Sequence, residues 1–140
     1  MDILNINTLE SNRKIKINFA GGDLTSEEGL LLIKEFINKL GFVKLLKTDF
    51  KTKDTAIFRH HKDAENLLQM IYQIIMVYFE DDCADELTID PVFTAKLEKK
   101  SLASQPTLSR FFNRIDESFL EQFHELMAKF RKIVYTVKAP

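Results

Sequence analysis

The chain has 140 residues, 45% of them hydrophobic, and a length and apolar fraction of that order suit one domain and exclude a disordered chain. Four Gly and three Pro exclude collagen-like and linker-like chains, and a single cysteine, Cys83, excludes an intramolecular disulfide framework and fits a reducing cytosol. With 20 Lys+Arg against 21 Asp+Glu the formal charge is −1, which argues against a basic nucleic-acid binder unless the average hides opposed segments.

Residues 1–24 read as an N-terminal β arm and 25–140 as a helical domain. No unbroken apolar stretch follows basic residues in the first 25 positions, so no secretory signal is read. Lys14 to Phe19 alternates polar and apolar, the period of a half-buried strand, and Gly21-Gly22 closes it with a turn. Thr25 and Glu28 have the spacing of a capping box. Leu30, Ile33, Phe36, Ile37 and Leu40 then share one helical face, and Gly41 stops the helix. A short apolar piece, Phe42 to Leu46, leads into a basic loop over 47–62. The spacing predicts a helix over 63–79, apolar on most sides, with Asn66, Gln69 and Gln73 as a thin polar stripe. Its greasiest window, Leu67 to Phe79, falls short of the roughly 20 apolar residues of a membrane span, so no membrane partner is expected.

Asp81 to Leu87 reads as an acidic turn. Asp90-Pro91 starts a short helix over 91–97, a connector runs to Ala103, and Ser104 caps a helix through Ile115. The last helix opens at Asp116-Glu117-Ser118 and extends to about 137 on Phe119, Phe123, Leu126, Phe130 and Ile133. A strand over 133–137 is the competing reading, because β-branched residues cluster there. The fold class expected is mainly α, a helical bundle with a helix-turn-helix-like unit over 90–115 and a short N-terminal β segment.

Charge is unevenly spread. Residues 42–62 carry a net +4, residues 63–98 a net −8 and residues 99–140 a net +4. The second basic segment falls on the helix-turn-helix candidate, whose connector is longer than the usual three or four residues. In its second helix Leu108, Phe111, Phe112 and Ile115 form the apolar face, with Ser109, Arg110, Asn113 and Arg114 opposite and Thr107 at the edge. Gln105 lies in the first turn, and Lys99-Lys100 precede it. Arg donates two hydrogen bonds to guanine, Asn and Gln pair with adenine, and Lys, Ser and Thr hold phosphates. The helix N-terminus adds amides for a phosphate. An ordinary amphipathic surface helix accounts for the same pattern.

Other clusters carry less. The acids Glu80, Asp81, Asp82, Asp85 and Glu86 have no glycine-turned calcium-loop spacing and read as a solvated turn. His60-His61 point apart with no third ligand at suggestive spacing. Cys83 lacks an activating partner in sequence, and His124 reads as a surface or partly packed residue rather than a general base.

Two segments carry a family resemblance. Leu102-Ala103-Ser104-Gln105-Pro106-Thr107-Leu108-Ser109-Arg110-Phe111 is similar to a specific block of bacterial insertion-sequence DDE-type transposases of the group 1 branch. Tyr78 to Phe93, with Glu80, Asp81, Asp85, Leu87, Asp90, Pro91 and Phe93, resembles the acidic "G-Y-E-D…D…L…D-P-x-F" segment of the same branch. Phe79 and Thr88 depart from it. The opening, Phe19-Ala20-Gly21-Gly22 through Leu30-Leu31-Leu32, resembles the family's entry segment.

The resemblance implies the N-terminal, DNA-binding portion of a transposase in the bacterial cytoplasm. Its partner is double-stranded DNA at the element's terminal inverted repeats, with homodimer contacts. Gln105, Arg110 and Asn113 are then expected on bases, and Lys99, Lys100, Thr107, Ser109 and Arg114 on the backbone. The family's first catalytic aspartate sits in an "L-D-x-D-S/T" strand that does not occur before Pro140. No catalytic, metal or cofactor residues are therefore expected in this chain, and Mg, which activates water or a 3′-hydroxyl, belongs with the Asp-Asp-Glu set of the parent enzyme. The alternative is a helical interaction or dimerisation module without catalysis.

Overall fold

Apolar side chains at three- and four-residue spacing turn most of the chain into helices, and their inner faces meet around Phe50, Phe111 and Leu126. The computed structural model describes residues 7–8, 10, 13, 16–17, 28–53, 55–78, 83–87 and 101–138. Its helices are α1 (Glu28–Lys39), α2 (Phe42–Asp49), α3 (Asp63–Ile75), α4 (Cys83–Leu87), α5 (Gln105–Phe112) and α6 (Glu117–Lys138). Two short strands, β1 (Asn7–Thr8) and β2 (Lys16–Ile17), pair antiparallel with Asn7 opposite Ile17 and Thr8 opposite Lys16. The protein is mainly helical, as its periodicity predicts. Gly21-Gly22, Thr25, the expected helix over 91–97 and the rest of the N-terminal arm lie outside the described residues.

α1 buries Leu30, Leu31 and Ile37, with Leu40 just beyond its end, whereas Phe36 points to solvent. The expected apolar face is therefore rotated: Leu31 replaces Phe36. Gly41 adopts φ 71°, a left-handed conformation that costs a residue with a side chain about 1–2 kcal/mol. Its amide closes α1 on the carbonyl of Asn38, and its own carbonyl accepts from Leu45 inside α2. One residue therefore ends one helix and starts the next. The piece expected to be merely apolar is helical through Asp49 for the same reason, with Phe42 and Leu46 buried one turn apart. The Phe42 ring lies 4.5 Å from that of Phe130, and Lys129 meets Asp49 at 2.6 Å, so α2 packs along α6.

Phe50 leaves α2 in an extended conformation and inserts between α5 and α6, edge-on to Phe111 and Phe119. Around it α3 contributes Leu67 and Tyr72, whose hydroxyl burial pushes up to about 12, and α6 contributes Leu126. A smaller cluster joins Ala84 of α4 to Ala103 and Leu108. The polar stripe of α3 is not at the surface. Asn66, Gln69 and Gln73 are all buried, and Nδ2 and Oδ1 of Asn66 and Nε2 of Gln73 have no hydrogen-bond partner among the described residues.

α3 stops four residues earlier than its apolar run suggests. The Tyr78 amide donates to the carbonyl of Gln73 and the Val77 amide to that of Ile74, the paired bonds of a Schellman ending. Val77 occupies the left-handed position of that ending, φ 68°, where glycine is favoured and a β-branched residue is strained. α6 is helical across 133–137, so the competing strand is not formed. Among the described residues no helix is long and apolar enough to cross a membrane. The strain at Val77 predicts that Val77→Gly, at an exposed position, raises stability by about 0.5–1 kcal/mol in urea unfolding, the relief outweighing the unfolded-state entropy of glycine.

Candidate nucleic-acid interface

α5 is held against α3 at both ends. At its start, Gln69 places both ends of its side-chain amide on one residue of backbone: Nε2 donates to the Ala103 carbonyl at 2.9 Å, and Oε1 accepts from the Ala103 amide at 2.9 Å. Gln69 is 0% exposed, so neither bond competes with water. Past the other end, Nη2 of Arg114 donates to Asp63 Oδ1 at 2.6 Å, with both side chains largely buried. Asp63 opens α3 and Gln69 lies two turns on, so the chain from Ala103 to Arg114 runs back along α3 in the opposite sense. Between the clamps, Leu108 and Phe111 are fully buried.

The start of α5 differs from expectation in its capping. Ser104 stands at the N-cap, but its hydroxyl meets the Thr107 hydroxyl at 3.2 Å and makes no bond to a helix amide. The Gln105 amide instead donates to Oδ1 of Asp85 on α4 at 2.9 Å. Pro106 has no amide to offer, and those of Thr107 and Leu108 donate to the Ser104 carbonyl. The amides expected to receive a phosphate are thus engaged inside the protein. Asp85, read from sequence as part of a solvated acidic turn, supplies the negative charge at this positive helix end.

The helix also ends sooner than expected, at Phe112, with Asn113 and Arg114 in a turn. This shortening separates two arginines four residues apart. Arg110, still within the helix, is exposed, whereas the turn carries Arg114 inward to Asp63, over the Phe111 ring at 5.9 Å and onto the Arg110 carbonyl at 3.1 Å. Asn113 and Pro106 are exposed with Arg110, three positions at i, i+4 and i+7 on one outward stripe. Phe112, expected on the apolar face, is 43% exposed. Gln105, Thr107 and Ser109 are half-buried, and Lys99 and Lys100 lie outside the described residues.

The basic segment after α2 is tied to the same framework. The Lys51 amide donates to Gln122 of α6 at 3.1 Å, the Thr52 hydroxyl donates to Asp63, and Lys53 pairs with Asp116 at 2.6 Å. Asp63 therefore joins this segment, the start of α3 and the end of α5. Lys53, with the hydroxyl and amide of Ser118, draws the Asp116 carboxyl from 3.8 down to about 2. Exposed Lys47, Lys51 and Lys62 border a cleft of about 370 Å³ at the foot of the loop. Among the described residues no three His, Cys, Asp or Glu side chains converge on a point that fits a metal ion.

Two outcomes follow. Gln69→Ala removes two buried hydrogen bonds, strands the Ala103 amide and carbonyl and opens a cavity, so urea unfolding is expected to show a loss of about 2–4 kcal/mol. Because the folded-state pKa of Asp116 is depressed, its tether to Lys53 is complete above the ordinary carboxylate range and is lost only as pH falls through about 2. An NMR titration of the Asp116 carboxyl should show that low midpoint in the native protein and a return towards 3.8 in Lys53→Ala.

No curated protein and no solved structure is significantly similar to the chain. A family described as transposase DDE domain, group 1, has a model that matches residues 7–140, which includes both clamps and the whole outward stripe of α5. The chain belongs to the group 1 family of transposase DDE domains.

Proposed function

We propose that this chain is the DNA-binding portion of a bacterial insertion-sequence transposase, and that it holds the terminal inverted repeats of the element in the cytoplasm. The observation that carries the reading is the outward stripe of α5, where Arg110 and Asn113 stand exposed while the opposite face is locked to α3. A guanidinium in such a position donates two hydrogen bonds to guanine, and a carboxamide pairs with adenine. We assign Arg110 and Asn113 to bases, Gln105 to the edge of the base contacts, and Thr107, Ser109, Lys99 and Lys100 to the phosphate backbone. Arg114 holds α5 in place. The cleft lined by Lys47, Lys51 and Lys62 offers a second backbone contact. In this reading the chain contributes binding.

A second reading, a helical assembly module that pairs two copies without binding DNA, is favoured by the exposed Leu120, Tyr135 and Val137 of α6. Fluorescence anisotropy on a terminal-repeat duplex and a scrambled one separates the two. The DNA reading expects affinity to fall at least about tenfold between ~50 and ~200 mM salt. It also expects Arg110→Ala to cost about 1–3 kcal/mol on the repeat and clearly less on the scrambled duplex. Equal losses on both would make Arg110 a phosphate contact. No binding at ~50 mM salt, together with a concentration-dependent dimer in sedimentation, would sink the DNA reading in favour of assembly.

A further inference from the structure

The basic segment between α2 and α3 is pinned at its root and carries two exposed apolar side chains further along. The Lys51 amide, Thr52 and Lys53 are tied to Gln122, Asp63 and Asp116, and the chain rejoins the framework at Asp63, the first residue of α3. Between these points Ile57 is fully exposed and Phe58 is 83% exposed. Two adjacent large apolar side chains held in water are the reverse of what burial favours, in a protein whose Phe42, Phe50 and Phe111 are all buried. The segment is basic: residues 42–62 carry a net +4, and exposed Lys47, Lys51 and Lys62 border the cleft at the loop's foot beside Asp63 and Glu65.

An exposed apolar tip on a basic loop is complementary to a ligand with anions outside and a flat apolar stack within. Duplex DNA has that build. We infer that Ile57 and Phe58 form a wedge that inserts between neighbouring base pairs while Lys47, Lys51 and Lys62 hold the flanking phosphates. Phe and Ile are among the side chains that separate base steps in this way, and the stack is opened most readily at pyrimidine–purine steps. The pinned root gives the wedge a fixed base to push from, since Asp63 ties the loop to the framework that also carries α5. This inference rests on the DNA-binding reading of α5 and adds a second, deforming contact to it.

Insertion between base pairs unwinds the duplex, so the test needs no knowledge of the target sequence. A closed circular plasmid is relaxed by a topoisomerase in the presence of the full chain, the protein is removed, and the topoisomers are resolved on a gel. The wild-type chain is expected to leave negatively supercoiled products in proportion to bound protein. Phe58→Ala should lose that shift while binding the plasmid within about tenfold of wild type and with the same salt slope, because phosphate contacts dominate affinity. Phe58→Leu, which keeps a wedge, should retain part of the shift. Wild-type binding with no shift, or a shift that survives Phe58→Ala with Ile57→Ala, overturns the wedge and leaves the α5 reading standing. Failure of the wild-type chain to bind DNA at low salt overturns both. Phe58-dependent binding to phosphatidylserine vesicles without any topoisomer shift overturns the wedge in favour of a membrane contact.

Discussion

The fold turns on one side-chain amide. Gln69 carries a donor and an acceptor on one planar group, and it meets the amide and carbonyl of Ala103 as a neighbouring strand would. Ala103 lies two residues before α5, so its two backbone groups are buried without a helix to satisfy them. An apolar side chain at 69 would fill the space and leave both unpaired. A charged one satisfies only one of the two, since a carboxylate cannot donate and an ammonium cannot accept. The position thus selects a carboxamide, and a carboxamide there sets where α5 begins.

Asp63 works the same way at the other end, with charge in place of a neutral amide. It gathers the Arg114 guanidinium and the Thr52 hydroxyl, so the basic loop and the end of α5 share one anchor. Breaking a largely buried pair of this kind leaves a charge without its partner, which makes the anchor asymmetric: costly to lose and modest in net gain. Its value lies in placement. With Gln69 and Asp63 both on α3, the loop tip and the outward stripe of α5 are referred to a single helix, and their spacing does not depend on the exposed chain between them.

Much of this was legible in the sequence, and the misses have physical causes. The helices and most of their inward faces followed from spacing, because burial of an apolar stripe is what gives a helix its stability in a protein. The polar stripe of α3 was visible as Asn66, Gln69 and Gln73, but its burial was not, since that depends on a backbone segment more than thirty residues away. Helix ends were missed where backbone conformation overrode composition. Gly41 starts α2 as well as ending α1, and α3 closes with a valine in a glycine position. In the candidate site, the residue types of α5 pointed to one face, yet Arg114 belongs to the interior because the helix stops at Phe112. No periodicity argument reveals such a stop when Asn113 and Arg114 are both compatible with continuing. The exposure of Ile57 and Phe58 was equally invisible, because a short apolar pair in sequence looks like core.

The charge pattern takes on a different meaning once these partners are known. An acidic middle between two basic segments looks like a surface that would repel DNA. Several of the acids in and around that middle are engaged by a partner: Asp63 by Arg114, Asp85 by the Gln105 amide, Asp116 by Lys53 and Asp49 by Lys129. The three pairs with Arg114, Lys53 and Lys129 offset an acid's long-range field and aim a basic element, while Asp85 keeps its charge and holds a helix end. A carboxylate paired within hydrogen-bond distance presents little net charge to a phosphate about a Debye length away, whereas an exposed cation such as Arg110 presents nearly all of its own. A formal charge near zero is therefore compatible with a polyanion-binding face, provided cations such as Arg110 stand exposed while acids such as Asp63 are paired within the fold.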